Sequence, residues 1–219
     1  MVFNVCAEDF LMRGFPIMKN YDKEIELYHE TLYEINKRIE VIRDHINKKN
    51  KEKYLVIEVE TVCLQFRKIL EKIALLSLIA NKDIYSQQYE KFAKHYHAER
   101  ILNDVSRINP DYYPVPVEIV KKTNDMYELV HVKSGFLTKQ EFIKIYEICG
   151  GMMHADNPYA NRKPIEDIQS NFREWLIKIC NLLKNHNMRL VGGKIMLGAI
   201  LARADNGLPQ VVILERQDD

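Results

Sequence analysis

The chain has 219 residues, 47% hydrophobic and 29% charged, and 32 basic against 31 acidic side chains give a formal net charge of +1. This is an ordinary globular composition, long enough to bury a core without disulfides or a structural metal. The near-zero charge excludes a generally basic nucleic-acid binder, while a local basic patch stays open. Charged residues interrupt every long apolar run, including the first one, so we expect no membrane segment and a cytoplasmic location.

Three helices are predicted in the first half of the chain. The first, from Asp22 to about Lys49, is amphipathic, with apolar residues at helical spacing and charges on the other face. The second, about Lys53 to Asn81, is far more apolar and is predicted as the central helix of a bundle. The third runs from Ser86, a plausible cap, to about Ile108, because residues before a proline avoid the helical region.

The spacing of apolar residues then changes to that of β-strands. Two short runs, Val115 to Val120 and Met126 to Val132, flank a turn-prone segment and predict a hairpin. Helical spacing returns at Thr138, which can form a capping box with Glu141, and this helix is predicted to end at Asn157.

The last predicted helix runs from about Pro164 to Asn187, and β-prone segments at Lys194 to Ala202 and Gln210 to Glu215 follow it around an Asn-Gly turn. A lone hairpin is marginally stable in water, so we expect the two hairpins to pair with each other.

The pattern as a whole predicts a mainly α fold, a helical bundle with a small antiparallel β appendage formed by two hairpins. The bundle occupies residues 1–187, with the inserted hairpin at about 115–133. Residues 188–219 form the C-terminal hairpin, packed on the same domain.

Cysteines suggest neither a metal nor a disulfide. Cys6, Cys63, Cys149 and Cys180 lie far apart and form no CxxC pair. Zinc sites need ligands at short spacings, and the last three cysteines occupy apolar helical positions where a thiol acts as a small hydrophobe. We therefore expect no metal and no cofactor.

Charged residues fall on the apolar side of the predicted central helix. At about 100° per residue, Glu60, Arg67 and Glu71 lie within about 40° of one another, beside Leu64. Burying such charges costs several kcal/mol each unless they are paired. One interpretation is an ion pair between Arg67 and Glu71 that fixes the register of the bundle, and the other is a functional site.

Two glycines precede a histidine near the end of the fourth predicted helix. Gly150 and Gly151 each cost about 0.8 to 1 kcal/mol relative to alanine, which close approach by another element would explain. His154 would share a face with Gly150, and Asp156 and Asn157 could cap a turn or orient the imidazole. A histidine at a helix end is also often a purely structural residue.

Other candidates carry weaker signals. The basic cluster from Lys48 to Lys53 complements the negative end of the first helix and is predicted as a cap. Arg38 and His45 match a loose R-x6-H pattern that arises often by chance. His95 and His97 would point to opposite sides of a helix and could not share a metal.

A group of bacterial proteins usually labelled hypothetical resembles this chain over about residues 54 to 215. The resemblance rests on VETVCLQFRKILEKIALLSLIAN with INPDYYPVPV, and on GFLTKQEFIKIYEICGGMMHADNPY. More remotely, the long helical pair, the R-x3-E on an inner helix and the later histidine resemble HEPN domains (higher eukaryotes and prokaryotes nucleotide-binding). Those are helical bundles, often dimeric, and many are metal-independent ribonucleases of toxin, CRISPR-associated or antiphage systems.

The HEPN resemblance implies a ribonuclease or nucleotide-binding effector, with His154 acting in acid/base work on the ribose 2′-hydroxyl or the leaving 5′-oxygen. The usual catalytic arginine precedes that histidine on the same helix, and here Arg67 would supply the charge from another helix. Glu71, Asp156 and Asn157 would orient these two residues. The implied partners are a second copy of the chain, RNA or a nucleotide, and a protein of a defence operon.

Two alternatives remain. In a non-catalytic dimerisation or adaptor module, the pair of Arg67 and Glu71 gives register, His154 caps a turn, and a large apolar interface is expected. Direct nucleic-acid binding through the Lys48 to Lys53 cluster would instead show a steep salt dependence. The catalytic hypothesis requires that Arg67 and His154 meet in one cleft, either within one chain or across a dimer interface.

Overall fold

The computed structural model describes residues 5–6, 22–48, 54–81, 98–121, 126–155, 164–190 and 195–215. The helices of this part are α1 (Asp22–Asn47), α2 (Leu55–Ala80), α3 (Ala98–Ile108), α4 (Lys139–Gly151), α5 (Ile165–Ser170) and α6 (Phe172–Leu183). Its strands are β1 (Val5–Cys6), β2 (Val115–Lys121), β3 (Met126–His131), β4 (Asn185–Arg189), β5 (Ile195–Ile200) and β6 (Gln210–Glu215).

The strands form one antiparallel sheet in the order β1, β3, β2, β4, β5, β6. The link between its two halves is β4, which pairs with β5 on one side and with β2 on the other, where Val115 lies opposite Asn187. The predicted mainly α bundle with two appended hairpins is therefore wrong. The fold is a continuous sheet with helices packed against it.

The error arose at the end of the last predicted helix. Its apolar spacing continues to Leu183, where α6 ends, and the chain passes into β4 instead of remaining helical to Asn187. His186, Asn187 and Met188 are all buried. The strand gains hydrogen bonds on both edges, which outweighs the local helical pattern because local propensities are weak.

The main core lies between the helices and one face of the sheet. α1 contributes its predicted apolar stripe, and α2 is buried along most of its length, as expected for a central helix. On the other face of the sheet, Val117, Leu129, Met196, Val212 and Leu214 form a smaller cluster. Residues alternate between the two clusters along β5 and β6, as the period of a strand requires.

Several predicted boundaries are confirmed. Thr138 and Glu141 form the capping box that starts α4, and α3 ends at Ile108, just before Asn109 and Pro110. The predicted start of that helix, Ser86, lies outside the described residues. Among the helices of the described ranges, none combines the length and the hydropathy that a transmembrane span requires.

Candidate functional site

Arg67 lies midway along α2 and reaches across to α4. Its guanidinium carbon lies 4.3 Å from the centroid of the Tyr146 ring, and Nη2 donates a hydrogen bond of 2.9 Å to the hydroxyl of the same residue. A cation over an aromatic face is stabilised by the ring quadrupole. Since 23% of the arginine side chain remains exposed, it is partly screened by solvent.

Gly150 provides the space that Arg67 occupies. A Cβ atom built on Gly150 would overlap Nη1 of Arg67, whereas one built on Gly151 would meet no atom of the described residues within 4 Å. The predicted close approach is therefore confirmed for Gly150, while no described residue approaches Gly151 in this way. Any side chain at the first position would push the guanidinium away from Tyr146.

Glu71 completes the contacts of the arginine. Its Oε1 lies 3.3 Å from Nε of Arg67, which confirms the ion pair inferred from the spacing of four residues. Lys68 donates a hydrogen bond of 2.9 Å to the other oxygen. With 20% of the Glu71 side chain exposed, the pair is largely shielded without being sealed in the core.

His154 is exposed just beyond the end of α4. It lines a groove of about 320 Å³ together with Glu60, Thr61 and Leu64 of α2 and with the residues from Met152 to Ala155, which we call the His154 groove. Glu60 and Arg67 are separated by seven residues, or about 10.5 Å along the helix axis. Arg67 is not one of the described residues that line this groove.

The structure thus brings Arg67, Glu71 and His154 to the same helix pair without joining them in one groove. Arg67 contacts Gly150, and His154 follows four residues later, beside the preceding turns of α2. Asp156 and Asn157 lie outside the described residues, as do His95 and His97. Catalysis by this set remains a prediction.

Two buried thiols also join α2 to α4. Cys63 and Cys149 are fully buried. The hydrogen bond between the two thiols, together with burial, raises the pKa of Cys149 well above its ordinary value. A protonated, buried thiol is a poor nucleophile and a poor metal ligand, consistent with the predicted role as a small hydrophobe. Within the described ranges, no three His, Cys, Asp or Glu side chains are grouped to hold a metal ion.

A second cavity lies on another face of α2 and was missed by the sequence analysis. Its volume is about 270 Å³, and it is lined by His45 and Lys48 from the end of α1, by Glu58 of α2, and by Arg173 of α6. Glu58 and Glu60 point to different sides because two residues turn a helix by about 200°. We call this space the Glu58 cavity. Of these residues, the sequence singled out only His45, in a loose R-x6-H pattern, and Lys48, in a basic cluster. Neither pattern indicated a cavity.

His186 is another residue that the sequence did not single out. It is buried in β4, where its Nε2 lies 2.8 Å from the hydroxyl of Tyr28 and its Nδ1 lies 3.0 Å from the carbonyl of Leu183. Burial lowers the pKa of His186 to about 4, although the hydrogen bond to Leu183 opposes this shift. A neutral ring therefore donates from Nδ1 and accepts from Tyr28.

No protein-family model matches this chain, and no curated protein or solved structure is significantly similar to it. The resemblance to HEPN domains therefore stays an expectation.

Proposed function

We propose that this chain is a non-catalytic dimerisation or adaptor module that binds through its α2 and α4 helices. The contacts of Arg67 support this proposal. Its guanidinium stacks on Tyr146, bonds to the hydroxyl, pairs with Glu71 and fills the space over Gly150. An arginine held in this way keeps two helices in register, and those contacts would have to break before it could bind a phosphate.

The His154 groove offers the binding surface. Leu64 and Met153 are 40% and 37% exposed, and Ile57, two turns before Leu64, is 57% exposed. Exposed apolar groups that share a helix face are typical of interaction sites, and methionine adapts its shape to a partner.

A second copy of the chain is the proposed occupant. The groove carries both a carboxyl, Glu60, and an imidazole, His154. In a twofold-symmetric dimer, Glu60 of each copy can face His154 of the other copy, so the surface can complement itself. The net charge of +1 leaves little repulsion between two copies. We further infer a cytoplasmic location from the composition.

The oligomeric state tests this proposal. We expect sedimentation velocity to show a dimer for the wild type and a monomer for Leu64→Asp, because a carboxylate would be buried at the interface. Ile177→Asp is the matched control, since Ile177 is 52% exposed on α6 and away from the groove. A wild type that stays monomeric at high concentration would contradict the proposal.

Metal-independent RNA cleavage is a second candidate, favoured by one observation. His154 and Glu60 line the same groove, and an imidazole and a carboxyl there can serve as general acid and base. In this case Arg67 is a positioning residue, RNA or a nucleotide is the substrate, and a protein of a defence operon is the partner.

RNA integrity and growth after induced expression test the second candidate. A ribonuclease should degrade RNA and slow growth, and both effects should vanish in His154→Ala and Glu60→Gln variants that remain folded. Purified wild type should also cleave RNA in the presence of a chelator. Intact RNA in the cells and in the purified assay would eliminate this candidate.

A further inference from the structure

The Glu58 cavity holds an unusual buried acid. Glu58 is only 7% exposed, and Oε2 of its carboxyl has no hydrogen-bond partner among the described residues. Buried polar atoms are bonded in nearly all folded proteins, because an unmade hydrogen bond is destabilising. An acceptor left open on the wall of a cavity can be completed by a donor group of a ligand.

Groups of the opposite charge line the same cavity. Arg173 is exposed and makes no ion pair with any residue of the described ranges. His45 uses Nδ1 in a contact of 2.9 Å with the Val41 carbonyl, so Nε2 is the nitrogen that can meet a ligand. Lys48 adds a third basic side chain to the lining.

Apolar side chains form one wall of the cavity, and the polar residues Gln169 and Ser170 also line it. Phe172 and Val62 are almost fully buried, and the ring of Phe172 is fixed by contacts with Phe66 and Trp175. The cavity therefore combines one open acceptor, basic groups and a rigid apolar wall. A ligand that matches all three must carry a donor, an anionic group and a hydrocarbon part.

We infer that the Glu58 cavity binds a small amphoteric molecule of the α-amino-acid class. Its ammonium group would donate to Oε2 of Glu58, its carboxylate would pair with Arg173, and its side chain would pack on Phe172. This site does not depend on the His154 groove, so it stands whether or not the chain dimerises.

The size of the cavity favours an amino acid over larger ligands that carry the same groups. Its volume of about 270 Å³ is below the range of about 300 to 1,000 Å³ that is typical of sites for drug-sized molecules. A nucleotide could also offer an amino group and a phosphate. Its base, sugar and phosphate together need more room than an amino acid does.

Thermal unfolding of the full chain tests the inference, with each common L-amino acid at millimolar concentration and with AMP and GMP in parallel. We expect at least one amino acid to raise the unfolding midpoint of the wild type, because a ligand that binds only the folded state stabilises it. The N-acetyl and methyl-ester forms of that amino acid should lose the effect, since each lacks one of the two charges.

Variants locate the binding. Glu58→Gln and Arg173→Gln should each weaken the binding at least tenfold by calorimetry. Glu147→Gln should leave it unchanged, because Glu147 is an exposed residue of α4 that lines neither space. Without ligand, Glu58→Met should unfold at a higher temperature than the wild type, since it removes an unpaired buried acceptor.

Four results would overturn the inference. These are no response to any amino acid, unchanged binding in both Gln variants, a response to AMP or GMP that is lost in Glu58→Gln, and a lower midpoint for Glu58→Met. The last would mean that the acid serves the fold. Arg173→Gln keeps the test decisive if a Glu58 variant fails to fold.

Discussion

Gly150 is the residue on which the contact between α2 and α4 depends. Inside a helix, glycine is less favourable than alanine, so its presence needs a reason. Here the reason is the guanidinium of Arg67, whose Nη1 lies too close to the position of a Cβ atom on residue 150 for both to fit. Gly151, one residue further on, has no such neighbour in the part of the chain that the structure describes, and so provides a matched control.

We expect Gly150→Ala and Gly151→Ala to shift stability in opposite directions. The first should lower the free energy of unfolding by about 1 kcal/mol, because the lost cation–π contact and hydrogen bond outweigh the gain in helix propensity. The second should raise it by up to about 1 kcal/mol. Urea titration measures both, and equal shifts would show that Arg67 yields at no cost.

The effect of Gly150→Ala should change sign once the arginine is removed. In an Arg67→Ala background the methyl group has room, so the alanine should stabilise by about 0.5 to 1 kcal/mol. A double-mutant cycle from urea titrations gives this coupling directly. Additive effects would mean that the two residues do not share the space.

His186 shows how burial alone sets the charge of a residue. Its ring lies in the core, contacts Tyr28 and has a pKa of about 4 against an ordinary value of 6.5. The unfolded chain therefore binds a proton at a higher pH than the folded chain does. The contribution of His186 to the free energy of unfolding is therefore complete above pH 6.5 and is lost as the pH falls toward 4.

The free energy of unfolding should consequently fall by about 2 kcal/mol between pH 7 and pH 5. His186→Gln should flatten this slope, although it costs stability at every pH. Glu141 contributes little to the change in the free energy of unfolding between pH 7 and pH 5. Burial raises its pKa, but hydrogen bonds from Lys178 and Thr138 lower it to about 2 from an ordinary value of 4.5. Urea titrations across the pH range would contradict the assignment if the slope persisted in the variant.

Elements differ in how far local sequence determines them. α4 begins where Thr138 and Glu141 form a reciprocal capping box, a signal contained within four residues. β4 has no equivalent local signal, since Asn185 to Arg189 directly follow a helical pattern. That strand forms because β2 and β5 lie on either side of it. A helix contains its own hydrogen bonds, whereas a strand depends on partners that are distant in the sequence.

In the molecule as a whole, β4 connects the two hairpins into one sheet, and one main core joins this sheet to the helices. A continuous core predicts a single cooperative unfolding transition. Trp175, the only tryptophan, reports on that core because its ring lies 5.6 Å from Phe66 and 5.8 Å from Phe172. Its fluorescence and the far-UV circular dichroism should change at the same urea concentration. Two separate transitions would show independent units.

The candidate site was only partly accessible from sequence. The ion pair of Arg67 with Glu71 follows from a spacing of four residues, and a close neighbour of Gly150 follows from the cost of glycine in a helix. That Tyr146 lies under the guanidinium, and that Glu60 shares a groove with His154, depends on how two helices pack. The Glu58 cavity forms where the ends of α1 and α5 meet the starts of α2 and α6, which no local pattern encodes.

Local sequence patterns were sufficient to predict the helices α1, α2 and α4, the two hairpins and the ion pair, because each depends on residues that are close along the chain. Long-range packing, by contrast, makes β4 a strand, unites the hairpins in one sheet and places Arg67 and His154 in different surroundings. These features depend on contacts between residues that are far apart in sequence, and such contacts exist only once the core has formed.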